Sequence, residues 1–197
     1  MNIEQYAKYR QRPIRKLPEL LKSILKDKKT IADIGCGDGM FIEAIRKITK
    51  AEIWAVDLSE IRLKRIDCEI KVKDNAETLD EIPDGYFDLI LSIMVIEHCD
   101  DRKALLAMHK KLKPDGTLFL QTVFKKKWAK WYFYGGKLDP THIREYTDKT
   151  LFNGLPYDVV HEEMKLIKYR HIPIFGYYAW TLVLKKKKVE ETGEAEH

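Results

Sequence analysis

The chain has 197 residues, 45% of them hydrophobic, which suits one domain with a core of its own that needs no staples. Its three cysteines, Cys36, Cys68 and Cys99, form no C-x-x-C pair; this argues against a disulfide framework or a cysteine zinc site and fits a reducing cytoplasm. No run approaches the roughly 18 apolar residues of a membrane span, the first residues lack an apolar leader core, and the net charge of +5, gathered partly at residues 125–127 and 185–188, reads as a solvated basic face.

Residues 3–27 read as helix in two pieces broken at Pro13, with Leu17, Leu20, Leu21, Ile24 and Leu25 at helical spacing. Tyr6, Tyr9, Arg10 and Arg12 precede it, either as a lid over a ligand or as a frayed terminal turn. Residues 30–40, T-I-A-D-I-G-C-G-D-G-M, then read as a buried strand, a turn carrying Gly35, Gly37 and Gly39, and the start of a helix over 40–48. Glycines let a backbone approach a ligand closely, and unpaired N–H groups at a helix start face whatever occupies the turn, so a nucleotide-like cofactor is expected. A dinucleotide fingerprint needs its third glycine where Met40 stands, and no G-K-[ST] follows as in a phosphate-binding loop. Asp33 and Asp38 place carboxylates where a pyrophosphate needs neutral or positive surroundings. A cationic ligand suits them. S-adenosylmethionine, with its sulfonium, ammonium and ribose diol, meets the glycine and the acid requirements together.

Residues 53–56 make a second buried strand ending at Asp57, at the distance past the glycine turn, roughly 20 residues, at which an acid grips a ribose diol. Capping of a helix begun near Ser59 is the competing role for Asp57. A third strand over 69–73 leads into D-N-A-E-T-L, where Asp74 and Asn75 either meet an adenine edge or stabilise their own turn. A fourth strand over 87–92 is followed by I-M-V-I-E-H-C-D and a helix over 101–113 capped by Asp100 or Asp101. Residues 117–123 form a fifth strand. This alternation of strand and helix implies a parallel sheet.

The ordered set D-I-G-C-G-D-G, V-D-L-S, D-N-A-E-T-L, F-D-L-I-L-S-I-M-V-I-E-H and L-K-P-D-G-T-L, over residues 30–123, resembles the class I S-adenosylmethionine-dependent methyltransferases, especially the small-molecule and quinone-type group. The resemblance implies an α/β Rossmann-like, doubly wound seven-stranded sheet of order 3-2-1-4-5-7-6, strand 7 antiparallel, with helices on both faces. It also implies that Asp33, Gly35, Cys36 and Gly37 hold the methionine part and that Asp57 with Leu58 holds ribose and adenine. Asn75 and Ala76 then match the adenine loop, where the family more often has Asp in place of Asn75, and Ser92 matches a position whose backbone faces the amino-acid end. A methyltransferase domain over 1–184 is expected, with a helical lid at 1–27, a substrate-side insertion at 125–155 and a charged, disordered tail at 185–197. Within the insertion, Trp128, Trp131 and Tyr132 share a helical face that serves as packing, an aromatic wall or an interfacial patch. The segment T-H-I-R-E-Y-T is followed by a helix begun at Thr147, and the last strands are expected at 159–167 and 181–184 with I-P-I-F-G-Y-Y-A-W between them.

Methyl transfer from a sulfonium needs alignment and a dry site above all, so few catalytic groups are obligatory. Where the acceptor is a hydroxyl or a carbon acid a general base helps, and His142 and His98 are the candidates. The expected partner is a small-molecule methyl acceptor at an O, N or C nucleophile, apolar or lipid-like. Two other readings stand beside it. A nucleic-acid methyltransferase lacks support from the S-I-M-V at 92–95, which is no [ND]-P-P-[YF] motif, and a non-catalytic S-adenosylmethionine-binding partner protein needs only the glycine turn. No metal is called for.

Overall fold

Strand β1 (Thr30–Ile34) lies inside the sheet and its alternating side chains divide the core in two. The structure, a computed structural model, describes residues 16–131, 139, 141–169 and 172–187. Ile31 joins one apolar cluster, built from helices α1 (Glu19–Leu25), α2 (Ile42–Arg46) and α3 (Glu60–Leu63). Ala32 and Ile34 join the other, built around helix α4 (Asp101–Lys111) and the segment that follows strand 5. The same period of two puts Leu89 and Leu91 on one face and Ile90 on the other, so every central strand is buried on both sides. Burying side chains such as Leu105 and Met108 of α4 stabilises the fold by about 1.5–3 kcal/mol each.

Strands β2 (Glu52–Asp57), β3 (Ile70–Lys73), β4 (Phe87–Ile93), β5 (Leu112–Lys125), β6 (Tyr157–Tyr169) and β7 (Ile172–Lys186) complete a sheet of order β3-β2-β1-β4-β5-β7-β6. β7 runs antiparallel to β5 and β6, and the remaining pairs are parallel. This is the expected order. The chain winds outward from β1 through β2 to β3, then returns to place β4 on the other side of β1. A crevice therefore opens at the strand ends between β1 and β4, the place where α/β sheets of this kind bind ligands.

Five expectations change. α2 is shorter than 40–48, and among the described residues only 19–25 of the first helical segment is helical; Pro13, Tyr6, Tyr9, Arg10 and Arg12 lie outside the described residues, as do residues 188–197 of the tail. The helix expected from Thr147 is reduced to a 3-10 turn at Thr150–Phe152, because Gly154, at φ 74°, and Pro156 divert the chain directly into β6. Residues 172–180 belong to β7 rather than to a connection, since β5 runs on to Lys125 and pairs with Tyr177 to Ala179. Residues 127–131 form a 3-10 turn seated through Ala129, which lies against Gly176 where a Cβ would come within 2.7 Å, while Trp128 stays 51% exposed. Tyr132 lies outside the described residues.

Candidate active site

The glycine turn is held by the strand beside it. Gly35 and Cys36 donate their N–H groups to the Val56 carbonyl at 2.8 and 3.0 Å, and Gly37 donates to Asp57 Oδ2 at 2.8 Å. Asp57 Oδ1 accepts from Ser59 N at 2.8 Å, so the carboxylate both fixes the residue that precedes α3 and ties down the turn. Gly35, at φ 70°, needs its glycine twice over: the backbone is left-handed, and a Cβ there would lie 2.5 Å from Val95 Cγ2. Val95 arrives through Met94, a non-glycine residue at φ 58°, whose N–H is fixed by the Gln121 carbonyl at 2.8 Å.

Between these two turns is a cavity of about 550 Å³, a size suited to a small ligand. Asp33, Gly35, Cys36, Gly37, Asp57 and Leu58 line it at one end. Asn75 and Ala76 line it at the β3 end, and His98 and His142 at the other side. Ser92 does not reach it. Its side chain is buried inside the sheet between Ile34 and Leu120, and Ile93, Met94 and Val95 form the wall instead.

The charges in the cavity are unevenly satisfied. Asp33 is 3% exposed, its Oδ2 has no hydrogen-bond partner, and burial together with the nearby Asp57 charge pushes its carboxyl up to about 7. Burial also raises the Asp57 carboxyl, opposed by the N–H groups of Ser59 and Gly37 and by the Arg62 guanidinium. Arg62, a buried cation on the lining, had no signal in the sequence reading; only its place one turn after Asp57 points to it. Asp38 does not face the cavity lining but pairs with Arg65 at 3.1 Å. The side-chain oxygens at the β3 end are engaged in their own turn: Asp74 accepts from Asn75 N and Glu81 N, and Asn75 Oδ1 accepts from Glu77 N at 3.0 Å.

On the far side, two segments that meet through His98 and Thr141, 43 residues apart in sequence, are brought together. Ile143 N and Arg144 N both donate to the Glu97 carbonyl, Arg144 and the Tyr146 hydroxyl both bind Asp101, and Tyr146 bridges to Phe124. Arg144 is thus a structural partner of Asp101. This docking sets the His98 and His142 rings 4.8 Å apart, edge to face. His142 Nδ1 meets Glu145 Oε1 at 2.6 Å, and Glu145 in turn pairs with Lys125 at 3.1 Å. His98 Nδ1 lies 3.4 Å from the Thr141 carbonyl, and burial followed by the neighbouring His142 lowers its pKa. Behind them Glu97, fully buried, accepts from Thr122 Oγ1 at 2.9 Å through one oxygen while the other has no partner; burial pushes its carboxyl up to about 7. Glu97, Glu145, Asp139 and Thr141 were not singled out in the sequence, because partners so far apart in the chain leave no spacing to read.

Residues 6–155 match the family described as "Methyltransferase domain". The ubiquinone biosynthesis O-methyltransferase of Pseudomonas paraeruginosa is 30% identical over 103 residues, 48% of this chain and 44% of its own length; the chain thus spans less than half of that curated relative. A SAM-dependent methyltransferase from Methanosarcina mazei superposes with a TM-score of 0.70 at 16% identity, covering 88% of this chain and all of that one. The 1,6-didemethyltoxoflavin-N1-methyltransferase of Burkholderia thailandensis, solved with S-adenosylhomocysteine, gives a TM-score of 0.61 at 18% identity over 86% and 76% of the two chains. At these identities the structural likeness shows the fold alone. Among the described residues, no helix is long and apolar enough to cross a membrane.

Proposed function

The chain belongs to the methyltransferase-domain family, and we propose that it moves the methyl group of S-adenosylmethionine to a small-molecule acceptor held beside His98 and His142. The observation that carries the reading is Asp33, a buried carboxylate on the cavity lining with an unpartnered oxygen. Such a group costs the fold energy unless a ligand cation completes it. A nucleotide pyrophosphate would worsen that position, whereas a ligand bearing an ammonium and a sulfonium relieves it.

The residues fit that ligand. Asp33 takes its cationic end, and the glycine turn, at Gly35, Cys36 and Gly37, allows close approach because Asp57 and Val56 already hold its N–H groups. Asp57 retains a lone pair on each oxygen for a ribose diol, with Leu58 beside it, and Asn75 and Ala76 line the adenine end, the amide nitrogen of Asn75 being the freer group. Ser92 acts only through the strand end that it belongs to. When bound, the sulfonium supplies an electrophilic methyl group displaced in line. Met94, Val95 and Cys99 give that part of the lining an apolar wall, the kind of surface that favours a dry displacement. His142 and His98 are the catalytic candidates on the acceptor side: with Nδ1 of each engaged, Nε2 is the basic nitrogen that accepts a proton from the acceptor. Asp139, Thr141 and His142, from the segment after β5, line this acceptor side together with His98.

The experiment is methyl transfer from isotopically labelled S-adenosylmethionine to a cell extract, followed by separation into small-molecule and nucleic-acid fractions. Label in the small-molecule fraction is expected. Label confined to RNA or DNA would refute the acceptor class, and no label in any fraction, with the ligand still bound, would favour the non-catalytic binding role.

A further inference from the structure

The side chains of Glu97, His98 and His142 have one ligand-type atom each within 4.8 Å of one another, at the acceptor side of the cavity. We infer that these three residues form a binding site for a divalent transition-metal ion, which would place an oxygen-bearing acceptor for methylation. The inference rests on the methyl-transfer reading for the acceptor but not for the ion.

Three features support it beyond proximity. Glu97 is fully buried and leaves Oε1 without a hydrogen-bond partner, and a buried carboxylate oxygen in that state calls for a cation. Each of the three side chains is also held by a second group: Glu97 Oε2 by the Thr122 hydroxyl at 2.9 Å, His98 Nδ1 by the Thr141 carbonyl at 3.4 Å, and His142 Nδ1 by Glu145 Oε1 at 2.6 Å. That is the outer support which ligating histidines and carboxylates require, the histidine–carboxylate pair above all. The backbone also sets the site in advance, since Ile143 N and Arg144 N clamp the His142 segment onto the Glu97 carbonyl at 2.8 and 3.2 Å. Little rearrangement is then needed: ligands about 2.0–2.2 Å from a shared ion lie some 3–4 Å apart, a closure of about 1 Å from the present separation.

Two imidazoles and one carboxylate are a donor set for Mn²⁺, Fe²⁺, Co²⁺ or Zn²⁺ rather than for Mg²⁺ or Ca²⁺, which prefer oxygen throughout. Three protein ligands leave further positions open, and His98 and His142 line the cavity, so those positions face an acceptor. An acceptor hydroxyl bound there exchanges its O–H bond for a metal–oxygen bond and releases the proton to bulk water, with no change of oxidation state. In that state the two imidazoles act as ligands, and direct proton acceptance by them belongs to the ion-free protein. Oxygen acceptors are thereby favoured over nitrogen and carbon ones.

The test uses the whole chain, stripped with a chelator and dialysed against Mn²⁺ and, separately, Zn²⁺. Bound ion is counted by elemental analysis, and Mn²⁺ affinity is followed by electron paramagnetic resonance. About one ion per chain is expected, with affinity falling by roughly 100-fold in Glu97→Gln, a change of equal shape, and in His98→Gln. Circular dichroism and S-adenosylmethionine titration of the same samples distinguish the two failures. No ion on a folded chain that binds S-adenosylmethionine overturns the metal site alone, as does ion binding unaltered in both variants. An ion held at this site on a chain that ignores S-adenosylmethionine upholds the metal site and sinks the methyl-transfer reading.

Discussion

Replacing Asp33 with asparagine separates the effect of this side chain on folding from its effect on the ligand. Asp33 is buried, its Oδ2 lacks a partner, and its carboxyl titrates at about 7, against about 3.9 in an unfolded chain. Between these values the folded protein retains a proton that the unfolded chain has lost. Stability therefore falls as pH rises from about 4 to about 7, and above that window the deficit is complete. Three pH units at 1.36 kcal/mol each set a ceiling of about 4 kcal/mol, and relaxation and water entry reduce it to about 2–3 kcal/mol. Asparagine stays neutral throughout, so Asp33→Asn should gain about 2–3 kcal/mol relative to the native chain on going from about pH 4.5 to about pH 8. Its amide leaves a donor without a partner at both pH values, a cost of about 1 kcal/mol that cancels in the difference. Glu97 titrates in the same range and cancels likewise, being present in both proteins. Urea unfolding of both chains without ligand at the two pH values measures it. An equal stability difference at both would refute the burial argument. At about pH 8 the variant should also bind S-adenosylmethionine some 10–100-fold more weakly, the loss of one charge-assisted contact.

Gly35→Ala should cost about 1–2 kcal/mol for the left-handed backbone and more for the contact with Val95; in denaturant melts, adding Val95→Ala should restore only the second part, and full restoration would refute the backbone argument. Glu145→Gln loosens the hold on His142 Nδ1, so kcat should fall by roughly 10–100-fold while the KM for S-adenosylmethionine stays unchanged; a steady-state assay showing a KM effect alone would count against His142 as an acceptor-side group. Asp88, partly buried, is nevertheless held down to about 2 by hydrogen bonds from Lys113, Lys29 and Thr30. Its contribution, about 1–2 kcal/mol after allowance for its exposure, is present above about pH 4 and lost as pH falls towards 2. Asp88→Asn should therefore lower stability by that amount at about pH 6 and leave it nearly unaltered at about pH 2, and urea unfolding that shows an equal difference at both values would contradict this.

The sheet was legible because its information is local. β1, β2, β4 and β5 carry largely apolar runs bounded by their own turns, β3 alternates Ile70 and Val72 with lysines at the sheet edge, and the resemblance carried by the motifs over residues 30–123 implies the strand order seen. The cofactor end was legible for the same reason: Asp33, the glycines and Asp57 each stand at a strand end, where topology alone brings them to one crevice. The rest depended on distant partners. Asn75 was read both as an adenine contact and as a turn residue, and only the bond from Glu77 N shows its oxygen engaged in the turn. Arg144 reads either as a pair for an acidic substrate or as an ordinary salt-bridge partner, and Asp101 at 2.6 Å shows the second. The helix expected from Thr147 gives way because Gly154 and Pro156 follow within three turns, and the lengthened β7 exists because β5 offers it a partner out to Lys125. Glu97 looks like an ordinary acid next to a histidine until Thr122 and His142 close around it.

Calorimetric titration of the chain and of Asp57→Ala with S-adenosylmethionine tests the central claim most directly. Asp57 holds the glycine turn through Gly37 N and the α3 start through Ser59 N, besides offering its remaining lone pairs to the ribose. Loss of these charge-assisted bonds, at about 1.5–3 kcal/mol each, should weaken binding by roughly 100-fold or more in a variant that remains folded. One site per chain in the native protein, lost in the variant, is the expected result. No binding to the native chain, or equal affinity in both, would contradict the account.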